Sequence, residues 1–88
     1  MGYESEFTPL FPKLLARLDK LIRERILRAI EEIPKDPRRG SRLLFTREVC
    51  FKWRVGDYRI IYKIDERRRI VIFIVVDHRA RVYKRYKG

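Results

Sequence analysis

The chain has little of the residue types from which metal and disulfide sites are built. It contains one cysteine and one histidine among 88 residues. Cys50 therefore has no partner within the chain for a disulfide, and nothing in the sequence requires an oxidising compartment. The carboxylates are not grouped at ligand spacing either, so we predict no metal site and no cofactor.

Long hydrophobic runs are missing as well. The longest, residues 70–76, is too short to cross a bilayer. Residues 1–11 include acidic side chains and lack the apolar centre of a signal peptide. We therefore expect a cytoplasmic protein with no membrane partner.

Acidic residues are scarce relative to basic ones. Lys and Arg total 23 against 12 Asp and Glu, which gives a formal net charge of +11. This charge suits a polyanion such as nucleic acid, with an anionic membrane surface or an acidic protein as alternatives. The 45% hydrophobic content is enough for a folded core, and the length fits one domain, residues 1–88. The 40% charged content is also typical of thermophile proteins.

Hydrophobic spacing in the first third of the chain predicts a strand followed by helix. Residues 3–7 alternate in a way that indicates a short strand, and Thr8-Pro9 can start a helix. Two apolar stripes at helical spacing follow, and the second ends before Pro34: Phe11, Leu14, Leu15 and Leu18, then Ile22, Ile26, Ala29, Ile30 and Ile33. Asp19 could cap a second helix, but one continuous helix fits the spacing equally well.

The rest of the chain has the pattern of an antiparallel meander. A loop is predicted over residues 34–40. Residues 41–45 are predicted to be an extended segment that leads to the hairpin, with Leu43 or Phe45 reaching the core. Residues 50–62 form a hairpin around Gly56-Asp57, and its second strand continues to about residue 64.

The apolar run of residues 70–76 predicts a central strand covered on both faces, with the helices over one of them. Residues 77–88 are a basic, aromatic tail. We predict an α+β fold in which an N-terminal strand and a two-helix hairpin pack on a mostly antiparallel sheet of about four strands.

The hairpin carries cations on one face. Lys52 and Arg54 alternate with Phe51, Trp53 and Val55, which have the composition of a core. Arg59 follows the turn, where a hairpin brings it within reach of the basic pair. Like charges held together cost stability, which favours an anionic ligand at this face; a simple solvated strand face is the alternative.

The segments FKWRVGDYRIIY and DHRARVYKR, separated by an apolar strand, resemble the RelE family of toxins, in an archaeal or thermophile-like form, within the RelE/ParE toxin-antitoxin superfamily. The resemblance implies a small ribonuclease that enters the A site of a translating ribosome and cleaves mRNA there without a metal. It also implies a cognate RelB-like antitoxin that inhibits the toxin in a hetero-oligomeric complex.

The resemblance assigns five catalytic positions: Lys52, Arg54, Arg59, Arg79 and Tyr83. The family commonly has a lysine, assigned as the general base, where this chain has Arg54. Arginine stays protonated, so Arg54 is a poor proton acceptor and a good phosphate clamp. We expect Arg59 and Arg79 to stabilise negative charge on the phosphate.

The general base is left open by the residues. Lys52 is our first choice, provided that neighbouring cations favour its neutral form, and Tyr83 could accept the proton or stack on a base. Arg79 or His78 would donate a proton to the leaving oxygen, since histidine titrates near neutrality.

Further RNA contacts are predicted at His78, Arg81, Lys84 and Arg85, although Lys84 and Arg85 could equally belong to a floppy end. Two other functions fit the same sequence. One is a ParE-like inhibitor of DNA gyrase that is not a nuclease. The other is a basic RNA-binding module without catalysis.

Overall fold

The computed structural model describes residues 2–43 and 49–86 and has helices packed on one mixed sheet. The strands are β1 (Glu4–Phe7), β2 (Ser41–Arg42), β3 (Cys50–Val55), β4 (Tyr58–Asp65) and β5 (Ile70–His78). The helices are α1 (Leu10–Ala16), α2 (Lys20–Glu32) and α3 (Val82–Arg85). The sheet order is β1-β5-β4-β3-β2, and its pairs are antiparallel except for β1 with β5. The predicted α+β class and mostly antiparallel sheet are confirmed, with five strands where about four were predicted.

The extra strand comes from the segment predicted as an extended approach. Ser41 pairs with Lys52 and Arg42 with Phe51. Leu43 packs partly buried against the core, as predicted. Phe45, the alternative contact, lies outside the described residues.

The helical region is a hairpin of two helices, which settles the alternatives at Asp19. The backbone of Asp19 is extended, with ψ 151°, so one continuous helix is excluded. Its side chain makes no capping hydrogen bond; instead Arg23 Nη1 donates to the carbonyl oxygen of Leu18 at 3.1 Å across the turn. α2 ends at Glu32, before Pro34 as predicted. The reason given for that end is wrong, however, because Ile33 keeps helical angles (φ −54°, ψ −44°) and begins a 3-10 turn over Ile33–Lys35.

The main part of the core lies between α1, α2 and one face of the sheet. Phe11 of α1 and Ile26 of α2 are fully buried. Phe11 meets Phe73 with ring centroids 5.7 Å apart, and Phe73 meets Tyr62 at 6.2 Å. Tyr62 in turn stacks on Phe51 at 5.8 Å. The apolar stripes thus bury against β5 and its neighbours.

The hairpin around Gly56-Asp57 forms as predicted. Gly56 has φ 57°, a left-handed conformation that favours glycine. Phe51 and Val55 are buried, whereas Trp53 is half-buried under the guanidinium of Arg39, which lies 5.7 Å from the ring centroid. The prediction that Trp53 belongs to the core is therefore only partly right.

The predicted C-terminal tail is wrong for most of its length. β5 continues through Asp77 and His78, and Val82–Arg85 form one helical turn with Val82 fully buried. Lys84 and Arg85 are therefore not part of a floppy end. The physical reason is tertiary: the turn packs on β4 and β5, which local charge content does not reveal.

Tyr62 ties the loop before β2 to the sheet, because its hydroxyl donates to the carbonyl oxygen of Pro37 at 2.6 Å. We expect Tyr62→Phe to lower the free energy of unfolding by about 1–3 kcal/mol, since that carbonyl loses its donor. Burial raises the pKa of Tyr62 above its ordinary value. The contribution of the phenol to stability is therefore complete below about pH 10 and is lost as pH rises further.

Urea unfolding at pH 8 and pH 11 measures both effects. Stability should fall less between these pH values in Tyr62→Phe than in the unmodified protein. Tyr58→Phe is the control, because the Tyr58 hydroxyl makes no hydrogen bond within residues 2–43 and 49–86. An equal fall in all three proteins would contradict the prediction.

Candidate active site

The β3–β4 hairpin places the predicted cations on one face. Arg54 lies directly opposite Arg59, and Lys52 lies opposite Ile61, so the predicted proximity of Arg59 to the basic pair is confirmed for Arg54. Arg54 is exposed and Lys52 is half-buried. Within the two described ranges neither side chain makes a hydrogen bond or an ion pair.

Arg59 is fixed against the hairpin turn. Its Nη1 donates to the carbonyl oxygens of Gly56 at 2.8 Å and Tyr58 at 2.9 Å. No described carboxylate pairs with it, and its Nε and Nη2 donors have no partner among the described residues. The guanidinium is thus held in place with donors available for an anion.

A backbone hydrogen bond holds Arg79 at the end of the sheet where the β3–β4 turn lies. Its amide donates to the carbonyl oxygen of Asp57 at 2.8 Å, which fixes the segment after β5 beside the hairpin turn. The side-chain Nε lies 4.0 Å from Asp57 Oδ1, and both side chains are exposed. Exposed pairs of this kind contribute little, so the Arg79 guanidinium can exchange this carboxylate for another anion.

Tyr83 lies on α3, with 45% of its surface exposed and no hydrogen bond among the described residues. Tyr86, the residue after α3, shows which face of the sheet α3 covers. The Tyr86 hydroxyl lies 3.0 Å from Cys50 Sγ, and Cys50 shares the face of β3 that carries Lys52. α3 therefore packs on the side of the sheet that carries the cations, although no contact joins Tyr83 to Lys52.

His78 lies on the other face of the sheet. It pairs with Tyr58 in the β4–β5 register, and the two rings meet edge to face at 5.5 Å. The backbone amide of Ala80 donates to His78 Nδ1 at 3.1 Å, so this nitrogen carries no proton in the arrangement seen. The structure does not bring His78 together with Lys52, Arg54 and Arg59.

The other predicted RNA contacts divide into two kinds. Arg81 Nη2 lies 3.3 Å from Asp77 Oδ1, and Arg85 Nε is hydrogen-bonded to Asp77 Oδ2. Lys84 is exposed and has no partner among the described residues. Arg81 and Arg85 are thus engaged within the chain, which sequence reasoning did not foresee.

Comparison with known proteins identifies the family. The model of the ParE toxin of the type II toxin-antitoxin system parDE matches residues 6–83. Toxin RelG of Mycobacterium tuberculosis is 33% identical over 88 residues, covering 97% of this chain and 100% of that protein. The chain belongs to the RelE/ParE toxins. The resemblance inferred from the two segments is confirmed.

Further relatives agree with this assignment. The toxin is 28% identical to putative toxin RelE4 of Methanocaldococcus jannaschii, covering 97% of this chain and 95% of that protein. Its fold matches the crystal structure of the toxin-antitoxin complex RelBE2 from Mycobacterium tuberculosis with a TM-score of 0.81 and 29% identity. That match covers 89% of this chain and 99% of the other.

One cation of the toxin was missed in the sequence. Arg25 of α2 extends over the hairpin turn, where a Cβ atom at Gly56 would lie 3.1 Å from Arg25 Nη1. Arg25, Arg28, Trp53 and Arg54 line an open groove of about 260 Å³ beside that turn. The i, i+3 spacing of Arg25 and Arg28 shows that they share a helix face, but not which element that face borders.

Neither a metal-ligand cluster nor a membrane-spanning helix occurs in the described part of the toxin. No group of three or more His, Cys, Asp or Glu side chains within them is arranged to hold a metal ion. None of the helices described is both long enough and apolar enough to cross a membrane.

Proposed function

We propose that this toxin is a ribosome-dependent endoribonuclease that cleaves mRNA in the A site and thereby inhibits translation. The observation that carries the proposal is the row of cations at the hairpin: Arg54 opposite Arg59, with Arg79 fixed beside the turn. Arg59 keeps Nε and Nη2 without a partner among the described residues, and Arg79 has only an exposed pair with Asp57. Guanidinium donors of this kind suit the non-bridging oxygens of a phosphodiester. The chain's relationship to toxins named RelG and RelE4 supports the same function.

The reaction would use the RNA's own 2'-hydroxyl as nucleophile. Lys52, in its neutral form, would take the proton of this hydroxyl, and the 2'-oxygen would form a bond to the adjacent phosphorus. The bond from phosphorus to the 5'-oxygen would break, leaving a 2',3'-cyclic phosphate and a 5'-hydroxyl whose proton comes from water. Lys52 is preferred to Arg54 as the base because arginine does not give up its proton in proteins.

The arginines would stabilise charge as it develops. Arg54 and Arg59 would bind the non-bridging oxygens, and Arg79 would donate a hydrogen bond to the leaving 5'-oxygen. Arg79 is preferred to His78 for this role, because the His78 ring lies on the opposite face of the sheet. The exposed Tyr83 ring would stack on a base beside the scissile phosphate.

Dependence on the ribosome agrees with the shape of this surface. The cations stand on an open face beside a shallow groove, which offers little to hold a flexible strand in the in-line geometry that the reaction requires. An mRNA already held in the A site would arrive with its backbone ordered. The ribosome would therefore supply alignment, and the toxin would supply charge and a base.

A cognate RelB-like antitoxin is the proposed partner, in a toxin-antitoxin hetero-oligomer. The similar structure from Mycobacterium tuberculosis is a toxin-antitoxin complex. The net charge of +11 favours a partner with acidic residues, which would cover the cations needed for RNA.

A second candidate is a ParE-like inhibitor of DNA gyrase, because the matching family model is that of the ParE toxin. This function does not need the cations at the hairpin for chemistry. It predicts that Arg59, Arg79 and Tyr83 can be replaced without loss of toxicity. A basic RNA-binding module without catalysis would give neither cleavage nor gyrase inhibition.

The deciding test is a translation reaction on a defined mRNA with cleavage ends mapped by primer extension. We expect cuts within codons that require ribosomes. Arg79→Ala should lower their rate by about 10²- to 10³-fold, as loss of a charge-stabilising donor does elsewhere. Arg67→Ala, in the exposed β4–β5 turn, removes the same charge far from the hairpin and should leave the rate nearly unchanged.

Cuts that appear without ribosomes would overturn the dependence on the ribosome. No cuts from a folded protein, with gyrase activity reduced in a supercoiling assay, would establish the ParE-like function instead. No effect in either assay would leave only the non-catalytic RNA-binding module.

A further inference from the structure

We infer that Asp77 is a positioning residue that sets the placement of α3, and with it Tyr83, through ion pairs to Arg81 and Arg85. Its consequence for cleavage rests on the proposed function. Its consequence for the structure of α3 does not, so the two can be tested separately.

The burial of Asp77 is the first observation. Among the described residues it is the only charged side chain that is buried, with 5% of its surface exposed. Removing a carboxylate from water is costly unless it is paired and hydrogen-bonded. Both carboxylate oxygens of Asp77 accept hydrogen bonds. Oδ1 accepts from the His78 amide at 2.7 Å and from Arg81, and Oδ2 accepts from Arg85.

The second observation is where the two arginines lie. Arg81 is the residue just before α3, and Arg85 is its last residue. One carboxylate therefore binds both ends of a single helical turn. Tyr83 lies between the two bound positions.

A turn of this length cannot depend on its own hydrogen bonds. Isolated helices shorter than about 12–15 residues are marginal in water, and α3 has four residues. Its order must come from tertiary contacts, which include the buried Val82 side chain, the contact of Tyr86 with Cys50 and the two arginine pairs. Val82 provides apolar contact without direction, whereas the carboxylate fixes the rotation of the turn.

Asp77 is suited to this role at neutral pH. Burial alone would raise the pKa of its carboxyl, but hydrogen bonds from Arg85, the His78 amide and Arg81 outweigh burial and lower it. The carboxylate therefore stays charged. Neither Arg54 nor Arg59 takes part, although Asp77 is the register partner of Arg59: the Arg59 guanidinium binds the hairpin turn instead.

Hydrogen–deuterium exchange on purified toxin tests the structural half. Asp77→Asn keeps the shape of the side chain and removes its charge. We expect the amides of residues 80–86 to exchange about tenfold faster, with β3, β4 and β5 unchanged, because coupled ion pairs are lost only there. Asp65→Asn is the matched control: a strand-end aspartate paired with Arg68, away from α3. Unchanged exchange over residues 80–86 in Asp77→Asn would overturn the inference.

Cleavage tests the functional half, in the same ribosome assay. Asp77→Asn should lower the single-turnover rate at saturating toxin about tenfold, with little change in the half-saturating concentration, since positioning affects the bound state. Asp77→Glu should recover part of that rate. If the unmodified toxin cleaves and Asp77→Asn cleaves equally fast, the inference fails. If the unmodified toxin does not cleave, it is the proposed function that fails, and exchange still decides the role of Asp77.

Arg85→Gln provides a second test in case Asp77→Asn does not fold. Arg85 is the more exposed partner of the ion pair, so its replacement is less disruptive. It should reproduce the exchange and rate changes of Asp77→Asn, and the double variant should be no slower than either single variant. Additive rate losses would mean that Arg85 contacts RNA directly, which would overturn its assignment as a link to Asp77.

Discussion

Replacing Lys52 with alanine is expected to slow ribosome-dependent cleavage by about 10²- to 10⁴-fold, the range in which general acid–base groups contribute. The side chain stands on the cation-bearing face of β3, half-buried, with no partner among the described residues. Single-turnover cleavage at saturating toxin measures the loss directly, free of any change in ribosome binding.

The variant Lys52→Arg distinguishes a role of Lys52 as general base from a role of its positive charge. Arginine keeps the positive charge but cannot accept the proton, so a base at this position predicts that Lys52→Arg is nearly as slow as Lys52→Ala. A Lys52→Arg variant that cleaves at the unmodified rate would show that only charge is needed here. Tyr83→Phe then becomes the informative variant, because Tyr83 is the remaining candidate for the base.

Phe73→Ala is expected to have the largest effect on stability. Phe73 is fully buried in β5, and its ring centroid lies 5.1 Å from that of Phe7 and 5.7 Å from that of Phe11. Truncating a buried phenylalanine costs about 3–5 kcal/mol, a large share of the roughly 5–15 kcal/mol that stabilises a typical domain. Urea unfolding monitored by far-UV circular dichroism measures the change.

Leu21→Ala is the matched control for that truncation. Leu21 is 75% exposed on α2, so its replacement should change the free energy of unfolding by no more than about 0.5 kcal/mol. A loss below about 2 kcal/mol for Phe73→Ala would show that the sheet closes around the cavity.

Much of the candidate site could be predicted because a two-residue turn fixes register. Once Gly56-Asp57 is taken as the turn, Val55 pairs with Tyr58 and Arg54 with Arg59, and both pairs are observed. Period-two alternation then places Lys52 beside Arg54 on one face. The antiparallel meander follows from similarly local signals.

The parts that sequence reasoning missed depend on packing between distant elements. The spacing from Leu18 to Ile22 is the same in one helix or two, so the break at Asp19 had no periodic signal. The turn of α3 is stabilised by Asp77, a residue outside it. Arg25 reaches Gly56 only because α2 crosses the sheet at that place. The spacing of apolar residues identifies helices and strands, but it does not show which neighbouring element their polar faces meet.

The parallel pairing of β1 with β5 affects the order in which the protein can fold during its synthesis. Glu4 pairs with Ile70, and α1 packs mainly on the same distant strand. While the chain is being translated, β1 and α1 leave the ribosome before β5, the strand on which they pack, has been made, and α2 leaves it before β3 has been made. Such non-local contacts slow folding and leave apolar surface uncovered until they form. The nascent chain thus stays without its closed sheet until β5 has emerged, and the cation-bearing face is assembled only after most of the chain has been made.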